Sequence, residues 1–420
     1  MDINRKPRKI LVPIFNRAHY GRLKPVMEAI KCHPLLELQT MIGISAAHGS
    51  FWNNIRHSHP WSWAKSFPWY IRARLLNLAS FFKPDIVLKN NFLARSIMEE
   101  GFSINSNIPF FLDGGTSGTM AKSVGFGLVR IVDELKKLKP DIIFVNADRF
   151  EMMAVAIAAS YLNIPVAHNE AGDISGSIDE SVRHAITKLA HIHFTTTEKS
   201  RNRVIQMGEN KDFVFNVGSP AIDAVKNLGG KTRLETFPEL DIKKPYLLVL
   251  VHPVTTESSE NNYSMIKNVI LALEELRMPV IFLGSNIDAG SADLARIIRK
   301  LRRERPNFMH LAKNLPPEDF YRALANTACA VGNSSSFIRE GAYFGTPAVL
   351  VGSRQQNRER AENVIEVRPI GSEIKNKIAE QLNHGRYAPS NIFGDGGASK
   401  RITEILAEVE PPIQKQFHDK

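Results

Sequence analysis

The sequence predicts an α/β protein made of two doubly wound, parallel-sheet units. Three observations carry that expectation. Short β-branched apolar runs alternate with helical spacings almost throughout. The alternation halts across residues 227–244, where Gly229-Gly230, Pro238 and several charges cluster, and then restarts. The chain has 420 residues, room for two or three domains at ~150 residues each.

Taken in order, Ile10 to Ile14 reads as a buried strand, and His19 to Lys31 as a helix with Leu23, Val26, Met27 and Ile30 on one face. Ile142 to Val145 is a strand followed by a helix from Phe150 to Leu162. Val166 to His168 is a strand, Asp179 to Ala190 a helix, and Ile192 to Thr195 and Val214 to Val217 are further strands. Beyond the linker, strands are expected at Tyr246 to Val251, Val280 to Leu283, Phe308 to Leu311, Cys329 to Val331 and Ala348 to Val351, with helices between them. The resulting domain expectation is an N-terminal Rossmann-like unit at 1–227, a second at 245–395, and a C-terminal helix within 396–420 packing back on the first. In such folds ligands gather beyond the carboxyl ends of strands, so a cleft between the two units is the expected site.

One segment breaks the rhythm. All four tryptophans fall between about residues 50 and 89, among phenylalanines and basic residues. This Trp-rich insertion is either a basic aromatic surface for peripheral membrane contact or a helical hairpin that buries its rings on the first unit or a second subunit.

Composition removes several classes. With 26 Gly, 23 Pro and 43% hydrophobic residues, the chain is neither low-complexity nor globally disordered. Cys32 and Cys329 are the only cysteines, so neither a disulfide framework nor cysteine zinc spacing is available, and a reducing, cytoplasmic location is expected. The first residues show no secretory leader, and the apolar runs are too short for a membrane span. The net charge of +11 suits an acidic ligand or an anionic surface, without the Lys/Arg blocks of a nucleic-acid binder. The P-loop, G-x-G-x-x-G, H-E-x-x-H and G-x-S-x-G signatures are missing.

Three clusters carry chemistry. Asp148 follows the strand Ile142 to Val145, where it serves either as a helix N-cap or as a strand-end carboxylate of an active site. Glu170 and Asp173 follow the next strand, and Asp179, Glu180, Arg183 and His184 begin the helix after it, Asp179 and Arg183 sharing a face at i,i+4. Carboxylates at successive strand ends exceed what capping needs, and a close group of them can supply an acid and a base together. In the second unit, Gly332-Asn333-Ser334-Ser335-Ser336 opens a helix with free N–H groups and hydroxyls suited to an anion, and Arg354, Gln355, Arg358 and Arg360 follow a neighbouring strand. His252 ends the unit's first strand, placed to donate to a phosphate or to carry a proton.

Together with Arg17-Ala18-His19-Tyr20, the run Ser175 to Leu189, His252-Pro253-Val254-Thr255, Asn286 to Ser291, Glu362-Asn363 and Gly394-Asp395-Gly396, these clusters resemble the UDP-N-acetylglucosamine 2-epimerase family, and within it the hydrolysing, sialic-acid-pathway branch. The resemblance spans nearly the whole chain apart from the Trp-rich insertion. It implies a glycosyltransferase-B-like fold and an elimination at C1/C2 of a nucleotide sugar followed by water addition, giving N-acetylmannosamine and UDP. It also implies a homodimer or homotetramer. No metal site is visible in the sequence, and neither a metal nor a cofactor is expected. Asp148, Glu170 and Asp179 match the family's catalytic carboxylates. Arg17, His252, Ser334 and Ser335 match positions near the phosphates, and Glu340 one that binds ribose hydroxyls. His19, Arg183, His184, Asn286, Arg354, Gln355 and Arg358 complete the expected substrate site. The chain departs from the family at His19, where Asp is usual, and at Ala147 and Ala171, where Gly is usual. The competing expectations are a non-hydrolysing epimerase, an acceptor-dependent glycosyltransferase of the same fold, and a silent nucleotide-sugar binder.

Overall fold

The computed structural model describes residues 6–46, 91–112, 116–226, 228, 234–238, 240–284, 309–312 and 315–419. The Trp-rich insertion and its expected membrane contact lie outside these residues, as do Asn286 and the side chain of Arg17. Two all-parallel sheets organise the rest.

The first sheet contains β1 (Arg8–Ile14), β2 (Leu36–Ala46), β3 (Ser106–Leu112), β4 (Ile142–Asn146), β5 (Val166–Asn169), β6 (Ile192–Thr195) and β7 (Val214–Asn216), in the order β3-β2-β1-β4-β5-β6-β7. Between these strands run α1 (Arg17–Cys32), α2 (Phe92–Glu99), α3 (Ser117–Leu138), α4 (Phe150–Tyr161), α5 (Ile178–Leu189) and α6 (Glu198–Gln206). After α7 (Pro220–Lys226) comes the second sheet: β8 (Leu247–Leu250), β9 (Val280–Leu283), β10 (Met309–Ala312), β11 (Cys329–Gly332), β12 (Ala348–Val351) and β13 (Val364–Val367), in the order β10-β9-β8-β11-β12-β13. Its helices include α8 (Ser259–Leu276), α9 (Pro317–Asn326), α10 (Arg339–Phe344) and α11 (Gly371–His384), and α12 (Ala398–Glu408) closes the series.

The strands are apolar without alternation because each sheet is covered on both faces. Successive side chains still point to opposite sides. Ile10, Val12 and Ile14 join one core of the first sheet and Leu11 the other. In the second, Leu248 and Leu250 face one core, Leu247 and Val249 the opposite one.

β2, β3 and β13 are additions to the strands read from sequence. β2 is diluted by Glu37, Gln39 and Thr40, and β3 carries Pro109, which is tolerated because β3 is an edge strand.

The units are interlaced at both ends. Ile222 and Val225 of α7 belong to a core of the second sheet. Ile402, Leu406 and Ala407 of α12 pack with Ile10 and Val12 of the first, and Arg8 donates to the carbonyls of Leu406 and Val409 at 2.8 and 2.7 Å. The tail then reaches the end of α5, where the Lys415 ammonium donates to the carbonyls of Lys188 and Ala190 and pairs with the buried Glu209 at 2.6 Å. Carbonyls at a helix C-terminus lack intrahelical donors, so a lysine there satisfies them and complements the dipole.

Strand order reverses between β1 and β4 in the first sheet and between β8 and β11 in the second. The segments that follow these four strands carry His19 (in the first turn of α1), Asp148, His252 and Ser334–Ser336, so both switch points open on one cleft.

Candidate active site

The cleft is lined from the first unit by Asn16, His19, Arg22, Asp148, Glu170 and Asp179. From the second come His252, Ser334, Ser335, Glu340, Arg354 and Arg358, with Leu283, Phe320 and Tyr321 forming an apolar wall.

Asp148 does not cap α4. Arg149 holds the N-cap position, with no side-chain cap bond. The Asp148 carboxylate instead pairs with the Arg183 guanidinium, which is fully buried on α5 and also donates to the Asp173 carbonyl at 2.8 Å. Burial, and then the nearby Arg358, Arg339, Arg203 and Arg354, push the Arg183 guanidinium well below its ordinary pKa. The expected i,i+4 pairing of Asp179 with Arg183 therefore does not form, because Asp148 competes for the guanidinium on the buried face of the helix. Asp179 faces Arg354 at 3.7 Å across the cleft. His184 is not among the lining residues and pairs with Glu180 at 3.9 Å.

Ala147 and Glu170 share an unusual backbone, with φ of +61° and +62° at the ends of β4 and β5. This left-handed region is one that only glycine enters freely. Two hydrogen bonds hold Ala147 there: its N–H donates to the Asn169 carbonyl at 3.0 Å, and its carbonyl accepts from His168 Nε2 at 2.8 Å.

Glu170 is almost wholly buried. Arg339 lies 2.6 Å from one carboxylate oxygen and Arg22 3.7 Å from the other. Burial works against its charge, but Arg339, Arg22 and Arg358 outweigh that cost and hold the carboxyl down at about 2. Arg22 and Arg339 also donate to Ser335 Oγ at 3.2 and 3.3 Å, joining this carboxylate to the serine loop.

That loop is braced from behind. Asn333 accepts from the His252 N–H at 2.7 Å and returns a bond to its carbonyl at 2.8 Å. The Asn333 carbonyl accepts from Arg354 at 3.2 Å and Gln355 at 3.1 Å. Ser336 Oγ lies 3.3 Å from the carboxylate of the buried Glu340. Arg358 crosses between the units to Asp173 at 3.0 Å, and Asp173 accepts further from Thr196 and Ser200 at 2.7 and 2.8 Å. Hydroxyls, backbone N–H groups and guanidiniums thus converge on one side of the cleft, opposite three carboxylates. Such a face receives a phosphate, and the carboxylates can exchange protons with whatever the phosphate carries.

Arg22 and Arg339 are charged residues of the site that sequence reading did not select, and the same holds for Asn16 and the apolar wall of Leu283, Phe320 and Tyr321. Arg22 lies between Gly21 and Leu23 on α1, and Arg339 between Ile338 and Glu340 at the start of α10. For Arg339, a charge within a short buried helix was the available signal. Among the described residues, no group of three His, Cys, Asp or Glu is placed to hold a metal ion, and no helix is long and apolar enough to cross a membrane.

Two expected results arise directly. Gly176 donates its N–H to the Arg354 carbonyl at 3.0 Å across the units, and a Cβ there would fall 1.8 Å from the Ser353 carbonyl oxygen. Gly176→Ala is expected to cost about 1–3 kcal/mol through overpacking, read as a lowered urea midpoint; an unchanged midpoint would refute the close approach.

The second is acid lability. Burial depresses the His168 ring from 6.5 to about 3, so below pH 6.5 the unfolded chain takes up a proton that the fold refuses. Glu170, depressed from 4.5 to about 2, contributes stability that is present above 4.5 and lost toward 2. The urea midpoint should therefore fall below pH 6.5 and fall more steeply below 4.5; a midpoint that rises on acidification contradicts both assignments.

Comparison with known proteins places the chain in a family. The family described as UDP-N-acetylglucosamine 2-epimerase matches residues 89–407. A Legionella pneumophila protein named UDP-N,N'-diacetylbacillosamine 2-epimerase (hydrolyzing) is 37% identical over 327 residues, covering 77% of this chain and 85% of its own. A Campylobacter jejuni protein named GDP/UDP-N,N'-diacetylbacillosamine 2-epimerase (hydrolyzing) is 32% identical, over 64% of this chain and 71% of its own. In fold, the chain is similar to a Neisseria meningitidis UDP-GlcNAc 2-epimerase solved with UDP-GlcNAc, with a TM-score of 0.71 at 19% identity, over 96% of this chain and 100% of that one.

Proposed function

From the premise that this chain belongs to the UDP-N-acetylglucosamine 2-epimerase family, we propose that it is a hydrolysing 2-epimerase of a UDP- or GDP-linked 2-acetamido sugar. The observation that carries the reading is the placement of Asp148, Glu170 and Asp179 on one wall of a cleft whose other wall is the braced Ser334–Ser336 loop.

In the proposed reaction a carboxylate removes the proton on C2 while the C1–O bond to the nucleoside diphosphate breaks. The electron pair of the C2–H bond forms the C1–C2 double bond of a 2-acetamidoglucal, and the diphosphate leaves with the bonding pair. Water then adds at C1, giving up a proton, and a proton returns to the opposite face of C2. C2–H is a poor acid, so the elimination depends on a placed base and on stabilisation of the departing diphosphate. Two faces of C2 call for two proton carriers. Asp148 and Asp179 are the two carboxylates partly open to the cleft, at 18% and 31% exposure, and we assign the proton transfers to them. Glu170, held ionised, keeps Arg22 and Arg339 aimed at the serine loop, which with His252, Arg354 and Arg17 receives the diphosphate. Glu340 receives the ribose hydroxyls.

For the sugar, the names of the relatives at 37% and 32% identity favour a di-N-acetylated substrate over UDP-N-acetylglucosamine. The same reading carries a homo-oligomer in the cytoplasm. Proton NMR in deuterated water, with each of the two UDP sugars supplied in turn, tests the reaction and the choice. Free UDP and a released 2-epimeric sugar deuterated at C2 are expected. An epimer still linked to UDP would make the enzyme non-hydrolysing, and turnover only with an added acceptor would make it a transferase.

A further inference from the structure

His168 lies at the centre of the arrangement around Asp148 without touching the cleft. It is fully buried on β5. On one side its Nε2 is 2.8 Å from the Ala147 carbonyl, and on the other its Nδ1 is 3.1 Å from Thr187 Oγ1. A carbonyl oxygen can only accept, so Nε2 carries the proton. Burial keeps the ring neutral, which leaves Nδ1 to accept from the Thr187 hydroxyl.

Both neighbours bear on Asp148. Ala147 is the residue before it, held in a left-handed conformation that alanine adopts only when its surroundings impose it. Thr187 stands one helical turn beyond Arg183 on α5, so the hydroxyl that donates to Nδ1 ties the ring to the helix bearing the guanidinium paired with Asp148; that single O–H is then not available to the Arg183 carbonyl 3.0 Å away. The imidazole therefore spans the gap between the backbone that aims the carboxylate and the helix that carries its counter-ion. The neighbouring strand-end bond, Asn169 Nδ2 to Asn146 Oδ1 at 2.7 Å, holds β4 to β5 but reaches neither Ala147 nor α5.

We propose that His168 is a positioning residue that fixes Asp148 and Arg183 as one unit, through the Ala147 carbonyl on one side and Thr187 on the other. It exchanges no proton with substrate. The inference rests on the reading that Asp148 transfers a proton. Its consequence is that loss of the imidazole loosens the carboxylate while leaving the nucleotide-binding wall, which lies in the second unit, as it was.

The test uses the enzyme and five variants, the single variant Asp148→Asn among them, with UDP release, UDP affinity by calorimetry and thermal midpoint measured on each. His168→Leu removes both bonds and should lower kcat about 100-fold, the loss that a displacement of about 1 Å produces, with UDP affinity and KM nearly unchanged. His168→Gln restores an amide N–H at the Nε2 position and should recover most of that loss. Thr187→Val removes only the helix-side bond, at closely matched shape, and should show a smaller fall in kcat; it also keeps the proposal testable if the leucine variant does not fold. In the Asp148→Asn background, His168→Leu should lower the rate no further, since residues acting through one group are not additive.

A leucine variant that folds and keeps kcat would overturn the proposal. So would a leucine loss that multiplies with the Asp148→Asn loss, or one that falls equally on kcat and UDP affinity. If instead Asp148→Asn itself keeps full activity, the reading of Asp148 has failed, and that result is distinguishable from a failure of His168 alone.

Discussion

Asp148→Asn is expected to lower UDP release by about 10²- to 10⁴-fold, the range that a positioned general acid or base contributes. The substitution keeps the size and shape of the side chain and removes its capacity to take a proton. Arg183 loses its charged partner but retains its bond to the Asp173 carbonyl at 2.8 Å. Some stability will go with the buried guanidinium, so the thermal midpoint must accompany the kinetics. UDP affinity should persist, since the serine loop, His252 and Arg354 belong to the other unit. Deuterium incorporation at C2 in heavy water should vanish together with UDP release, because both begin with the same proton. Full UDP release by a folded Asp148→Asn enzyme would remove this carboxylate from the elimination step.

Arg339→Met should have the largest effect on stability. Arg339 is fully buried, and its partner Glu170 is nearly so, at 2.6 Å. Arg22 stands at 3.7 Å, too far to replace the lost bond. Removing one partner of a buried pair leaves the other charged in a poorly solvating place, at a cost of about 3–5 kcal/mol. Urea denaturation at pH 7 reads this directly. The double variant Arg339→Met/Glu170→Gln should recover much of the loss, since a neutral amide tolerates the site better than a lone carboxylate. That variant should nonetheless be a poor enzyme. A single variant within about 0.5 kcal/mol of the wild type, as for ordinary surface changes, would mean that the pair carries little of the fold.

How far the sequence revealed this site depends on the range of the interaction. The strand Ile192–Thr195 and the strands at 280–283 and 348–351 were readable to the residue, because a buried parallel strand announces itself as a short β-branched run. Asp148, Glu170 and Ser334–Ser336 were readable as cleft residues because strand ends in this architecture face the ligand, whereas Asp179, in the first turn of α5, was singled out through its place in the run Ser175 to Leu189. Arg22 and Arg339 were not. What makes them part of the site is Glu170, 148 residues from Arg22 and 169 from Arg339, and no local pattern registers a counter-ion that distant. The same limit hid the partner of Arg183. Spacing on an isolated helix pairs it with Asp179, whereas the folded chain offers it Asp148 from another loop. The Ala147 and Ala171 departures show a further limit. Sequence marks them as unusual for the family, but only the backbone shows that Ala147 occupies a left-handed turn held by two hydrogen bonds.

The return of α12 to the first sheet bears on how the molecule is made. Arg8 and Leu406 are bonded across 398 positions of sequence. During synthesis, domains ordinarily mature from the N-terminus as they emerge. Here the earliest strands emerge with part of their apolar face awaiting Ile402 and Leu406. The second unit, whose own cores need little from the first, is complete while its predecessor is still open. In order of birth the first domain is therefore the last to be finished. A ribosome that stalls within the final helix releases a chain with a nearly finished nucleotide-binding half, attached to a half that exposes its interior to chaperones and proteases.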